Sequence, residues 1–331
     1  MNPMFSRILQ ALCTLAAVAL LSGCGGASST VEPFVATRVI AFGDGFNFVD
    51  ANGAGKSTVR TGETDITIAG RVAARYGIVV KDVATGPALS ATGGFSYATA
   101  SAKVSDVATQ INTFLTSAGG VVAKKDLIVI AVGNWDIKAA IASGTPTADI
   151  DTATTNLVTA IQRLTNAGAE HVVVMPPINM ARTPWATTYI GANAGVTRAA
   201  IQDLSNSAAT SFNFKLLAKL QAAYTQDRNP VVLLDRTTDF NSFAGSVDAS
   251  GTAVVNYSGV SLTNLSTAVC ALATPATGCT TAVTAAGGVG VLNATDYLTS
   301  VFADEINLTP VMNRFLADRI IYSLVSFGWA P

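Results

Sequence analysis

From Leu127 to Val132 the chain runs through six consecutive apolar residues, preceded by Lys124, Lys125 and Asp126. A strand with one face in water alternates polar and apolar side chains. An unbroken run of this length reads instead as a strand buried on both faces, the central strand of a parallel sheet. Parallel neighbours require long crossovers, usually helices, and the chain supplies them. Short β-branched runs at residues 38–43, 78–83, 126–132, 171–176 and 231–235 alternate with helix-like stretches at 65–76, 103–117, 147–167, 196–226 and 309–327. This alternation predicts a doubly wound α/β sandwich that binds ligands at the carboxyl ends of its strands. Thr309 and Pro310 open the last helix, with the proline in its first turn.

With 331 residues, one large core is possible. A net charge of −1 and 12 % charged residues leave no basic face for nucleic acid, and 50 % hydrophobic content excludes a disordered chain. At the N-terminus Arg7 precedes a largely apolar run from Ile8 to Leu21, followed by Ser22, Gly23 and Cys24. The run falls short of the roughly 20 residues that span a bilayer. The segment resembles the bacterial lipobox, which implies cleavage before Cys24 and lipid on that cysteine; an ordinary secretory signal with an incidental cysteine is the alternative. Gly25, where an aspartate would retain the protein at the inner membrane, implies outer-membrane sorting. Residues 1–23 are then a lipoprotein signal peptide, 24–36 a tether, and 37–331 the folded domain of a bacterial envelope protein.

Cys13 leaves with the signal and Cys24 carries lipid, so Cys270 and Cys279 remain. In an oxidising compartment they are expected to form a disulfide closing a small loop, worth about 2.5–3 kcal/mol. Two cysteines and one histidine make no zinc site, and no cofactor is expected. Strand–helix alternation stops between about 239 and 300, where glycine, serine, threonine and alanine dominate. The stretch reads as an insertion of loops or hairpins stapled near the ligand edge, or as a wall of a ligand pocket.

The first strand ends in Gly43, Asp44, Gly45 and Phe46. This turn resembles that of the GDSL esterases and lipases, also called SGNH hydrolases, whose Gly-Asp-Ser-Leu motif carries the nucleophile; Gly45 stands at the serine position. Residues 302–310 resemble the family's Asp-x-x-His-Pro-Thr stretch, with Asp304 in place and Asn307 where the base histidine belongs. Residues 94–102 are similar to Asn-Tyr-Ala-x-Gly-Gly-Ala, placing Ala100 at the oxyanion glycine. Residues 132–136 match Gly-x-Asn-Asp loosely, placing Asn134 at the oxyanion amide. The resemblance covers most of the mature chain. It implies a three-layer α/β/α sandwich with a mostly parallel, flavodoxin-like five-stranded sheet.

In that family a histidine takes the serine proton, and the aspartate three residues earlier orients the ring. Gly45 has no side chain and Asn307 is an amide without a useful titration. Loss of such a pair costs on the order of 10⁴–10⁶ in turnover. Backbone donors at Gly45 and Ala100 with the Asn134 amide leave an oxyanion hole able to hold an ester, acyl or carboxylate oxygen. The sequence therefore points to a lipid-anchored, non-catalytic binding or scaffold protein; the alternative is an active ester hydrolase with rearranged residues. Asp304 or Glu305 acting on water, or a hydroxyl from Ser96 or Ser101, would serve that alternative. His171, at the start of a strand, is expected on the opposite edge. If the ancestral geometry is intact, Gly45→Ser with Asn307→His should bring hydrolysis back. Asn52 to Thr58 echo a phosphate loop, but Asp50 stands at its first glycine position. Trp185 and Tyr189 are candidates to line a cleft from a loop.

Overall fold

The computed structural model describes residues 34–225, 229–244, 255–257, 259–271 and 273–331. The expected signal peptide, Cys24 with its expected lipid, the expected tether up to residue 33 and Gln226 lie outside them. Six strands form one parallel sheet: β1 (Arg38–Gly43), β2 (Val80–Asp82), β3 (Gly93–Ser96), β4 (Asp126–Ala131), β5 (Val172–Met175) and β6 (Val231–Leu233). Their order is β2-β3-β1-β4-β5-β6. Every residue of β1 and β4 is buried, as the apolar run demanded. At their shared amino end Arg38 lies opposite Asp126, and its Nε and Nη2 reach the two carboxylate oxygens at 2.7 and 2.5 Å in a buried, two-pronged pair.

The sheet has six strands where five were expected. Without β3 the order is flavodoxin-like; β3 is intercalated between β2 and β1. It opens on Gly93 and Gly94, a pair that argues against a strand. The packing requires Gly94, because a Cβ there would lie 2.6 Å from the Val79 carbonyl oxygen.

The helices are α1 (Ile68–Ala74), α2 (Val104–Ser117), α3 (Asn134–Ile141), α4 (Pro146–Asn166), α5 (Pro184–Ala192), α6 (Arg198–Gln202), α7 (Phe212–Ala223), α8 (Thr237–Ala244) and α9 (Pro310–Ser326). Neighbours α2, α4 and α7 pack in series, and α1 pairs with α9. The single helix expected at 196–226 is instead α6, a π turn over Asp203–Ser207, and α7. Ser205 Oγ bonds back to the Ile201 carbonyl at 2.8 Å, and Ser211 starts afresh by capping Phe214 N. Hydroxyls that compete for backbone partners favour such a break.

Between α8 and α9 the alternation does stop. The described part holds a two-stranded antiparallel hairpin, β7 (Val255–Tyr257) with β8 (Val260–Leu262), then loops. Cys270 and Cys279 are disulfide-bonded. Val59, Val269, Ala276, Val291 and Ala303 bury a small satellite core around them. Backbone bonds from Arg60 N to Cys279 O and from Gly278 N to Lys56 O, both 2.8 Å, tie this loop to the segment after β1.

Candidate active site

The turn after β1 is fixed by contacts that few residues could make. Gly43 has φ +119°, and a Cβ there would sit 1.8 Å from the Ala131 carbonyl oxygen. Gln110 of α2 clamps its peptide on both sides, accepting from Gly43 N at 2.8 Å and donating to Gly43 O at 3.1 Å. Asn47 donates to the Phe42 carbonyl at 2.8 Å and accepts from Ala69 N at 3.0 Å, joining the turn to α1. The Asp44 carboxylate accepts from Phe46 N and from Asn134 Nδ2, each at 3.1 Å. Complete burial pushes the Asp44 carboxyl up to about 7, against the pull of those two donors.

Asn134 is the first residue of α3. Gly133 caps that helix with φ +123°. The Asn134 amide is spoken for on both sides: Nδ2 donates to Asp44, and Oδ1 accepts from Ile178 N at 3.2 Å. Two residues on, Asp136 accepts from Val104 N at 3.1 and 3.2 Å, and burial pushes its carboxyl up to about 6. Among the described residues, neither the Gly45 nor the Ala100 N–H has an acceptor. Ala100 is half-exposed; Gly45 and Asn134 are buried.

Asp304 and Asn307 meet Gly45 from the far side of the sequence. Asp304 accepts four hydrogen bonds: Oδ1 from Ile306 N and Asn307 N, both 2.7 Å, and Oδ2 from Ala276 N and Asn307 Nδ2, both 2.8 Å. The Asp304–Asn307 link reproduces what an orienting aspartate does for a ring nitrogen, with an amide in the ring's place. Asn307 Oδ1 then points over Gly45. A Cβ built on Gly45 would lie 2.2 Å from that oxygen and 2.8 Å from Ser57 Cβ. Both Asn307 Oδ1 and Ser57 Oγ are buried and lack a hydrogen-bond partner among the described residues. A side chain at position 45 would have to displace the Asn307 amide and Ser57; in Gly45→Ser with Asn307→His the amide is itself replaced, and Ser57 is the neighbour that must give.

Beside this corner, at the carboxyl ends of β1 to β3, lies a cavity of about 410 Å³ lined by Phe48, Lys56, Asp82, Tyr97, Thr99 and Gln110 among others. Lys56 Nζ rests 4.4 Å from the centre of the Phe48 ring. Asp82 is engaged with Ala84 N and Thr85 Oγ1. Among the described residues Lys56 has no carboxylate partner.

The remaining candidates are placed as follows. Ser96 is buried and donates to the Asn47 carbonyl at 2.9 Å; Ser101 is exposed. Glu305 accepts from Thr188 Oγ1 at 3.1 Å. His171 lies at the amino end of the sheet, stacked 3.6 Å on Phe34 and edge-on to Trp329. Trp185 and Tyr189 belong to helix α5 rather than a loop, and Trp185 is buried in the main core. The echo at 52–58 opens in a turn at 50–54 closed by the Asp50 carboxylate, which accepts from Asn52 N and Ala54 N. Sequence reasoning missed Ser57, visible only as part of that discarded loop echo, and Ala276, whose N–H reaches Asp304 only in the fold.

The family model described as GDSL-like Lipase/Acylhydrolase matches residues 39–320. This chain belongs to that family. Among curated proteins none matches it. Among solved structures it is similar to a member of the lipolytic G-D-S-L family from Veillonella parvula, at 12 % identity and a TM-score of 0.42, covering 87 % of this chain and 96 % of that one.

Proposed function

We propose that this chain is a lipid-anchored envelope protein in which the hydrolase frame binds or scaffolds without turning esters over. One observation carries the reading: the Asn307 carbonyl and Ser57 Cβ occupy the space a side chain at position 45 would need. No attacking group stands at Gly45, and the amide at 307 cannot take a proton. The ligand then sits beside the corner, in the 410 Å³ cavity. Phe48 and Tyr97 offer an apolar bed there, and Lys56 an ammonium with no carboxylate partner among the described residues, a combination suited to an acyl or ester body bearing a carboxylate. A second reading, an ester hydrolase with rearranged residues, is favoured by one feature: next to Gly45, the Ser57 hydroxyl has no hydrogen-bond partner among the described residues.

Purified protein is assayed with short p-nitrophenyl esters and a fluorophosphonate probe. Background turnover and no labelled serine are expected. Turnover at ordinary esterase rates, lost in Ser57→Ala, would establish the second reading and end the first. Binding of a medium-chain carboxylate should weaken about tenfold in Lys56→Ala, the order of one charge-assisted contact.

A further inference from the structure

We infer that the amino pole of the sheet is a membrane-docking face, seated on the bilayer that holds the chain. The inference rests on the lipid-anchor reading of Cys24. Because all six strands are parallel, their amino ends share one pole. Helix α9 leaves the Asn307 corner and descends to that pole, where Trp329 packs edge-on against His171 at the start of β5. Phe34, the first described residue, stacks on the same histidine, and the Tyr76 hydroxyl donates to the Trp329 carbonyl. The chain therefore enters the domain within this aromatic cluster.

Around the cluster the surface carries exposed apolar side chains. Val35, Val79, Val121, Tyr322, Val325 and Phe327 are each 41–76 % exposed. Val79 immediately precedes β2, Val35 lies shortly before β1 and Val121 in the loop after α2; the last three lie at the carboxyl end of α9, with Tyr322 and Val325 on one face at i, i+3. Cations border them: Arg75, Lys124 and Lys125 are exposed, although Lys124 lies 3.6 Å from Glu170 and Arg75 donates to the Pro331 carbonyl. Aromatic and aliphatic side chains edged by lysine and arginine match a bilayer interface, apolar below and anionic at the headgroups.

The tether selects the bilayer as occupant. From Cys24 to Phe34 is ten residue steps (34 − 24), about 35 Å at full extension and about 18 Å on average for a flexible chain. That length keeps the pole near the membrane without fixing its orientation; the apolar face fixes it. The 17 residues of α9 span about 25 Å, so the Gly45 corner and its cavity face away from the lipid. The ligand then comes from the aqueous side.

The test uses the full-length protein reconstituted in vesicles of phosphatidylethanolamine and phosphatidylglycerol. With Cys24 acylated and Cys270 bonded to Cys279, a cysteine added by Phe327→Cys or Ala84→Cys takes a fluorophore alone. Iodide quenching at position 327 should fall about threefold or more on vesicles and stay unchanged at position 84, at the opposite edge. Equal accessibility at both positions with acylated Cys24, or shielding at 327 that follows protein concentration without lipid, overturns the docking face. Mass spectrometry of the Cys24 peptide judges the anchor separately, and an unmodified cysteine removes both.

Discussion

The sandwich and the disulfide-bearing excursion after α8 hold their shapes by different means. In the sandwich, β1 and β4 are buried at every position, and the one charged pair between them, Arg38 with Asp126, is sealed inside. In the excursion a satellite core of a few small side chains surrounds one disulfide, and a two-stranded hairpin with isolated bridges stands in place of a large sheet. Yet both regions contribute to the same corner. The sandwich supplies Gly45 and Asn134, while the excursion supplies Ala276 N–H to Asp304. A site can thus depend on a region with little apolar burial of its own, provided a covalent link limits that region's freedom.

The largest effect expected is from Asp126→Ala, which leaves Arg38 buried and unpaired. It should cost about 3–5 kcal/mol in denaturant unfolding. A loss below about 1 kcal/mol would mean that the pair is no keystone of the sandwich.

Next comes pH. Burial pushes the folded Asp44 carboxyl up to about 7, above the 3.8 of an ordinary aspartate. The folded chain therefore holds a proton that the unfolded chain has released. The stability this contributes is complete below about pH 4 and is lost as pH rises toward 7. Thermal melts of the native chain against Asp44→Asn should diverge across that window, the native chain losing about 2–4 kcal/mol more. Parallel curves would show that Asp44 ionises normally.

A comparable effect, confined to one region, comes from replacing Cys270 and Cys279 together by alanine, at about 2.5–3 kcal/mol by loop entropy. The comparison sharpens here. Hydrogen exchange should quicken at Ala276 and Ile306, while β4 keeps its protection. Equal loss in both regions would show one cooperative unit instead of two.

Much of this was legible in residue order. The apolar run at 127–132 located β4, and alternation located five of the six strands. β3 escaped because Gly93 and Gly94 read as a loop, although close approach to Val79 O requires a glycine there. The break near Ser205 escaped because hydroxyl-to-carbonyl bonding leaves no periodic trace. Gly45, Asn307, Asp304, Ala100 and Asn134 were each identifiable by type and order. What those side chains do to one another was not.

By itself the sequence determined the layered α/β class, the family and the chemistry at positions 45 and 307. Such features follow from residue type and local period, which the chain carries one position at a time. Only the tertiary structure decided that Asn307 turns its carbonyl onto Gly45, that Ser57 closes the same space, and that a loop some thirty residues upstream holds Asp304. Those contacts join segments up to 262 positions apart (307 − 45). Their geometry is set by how the sheet and its excursion pack, and packing is a property of the whole chain.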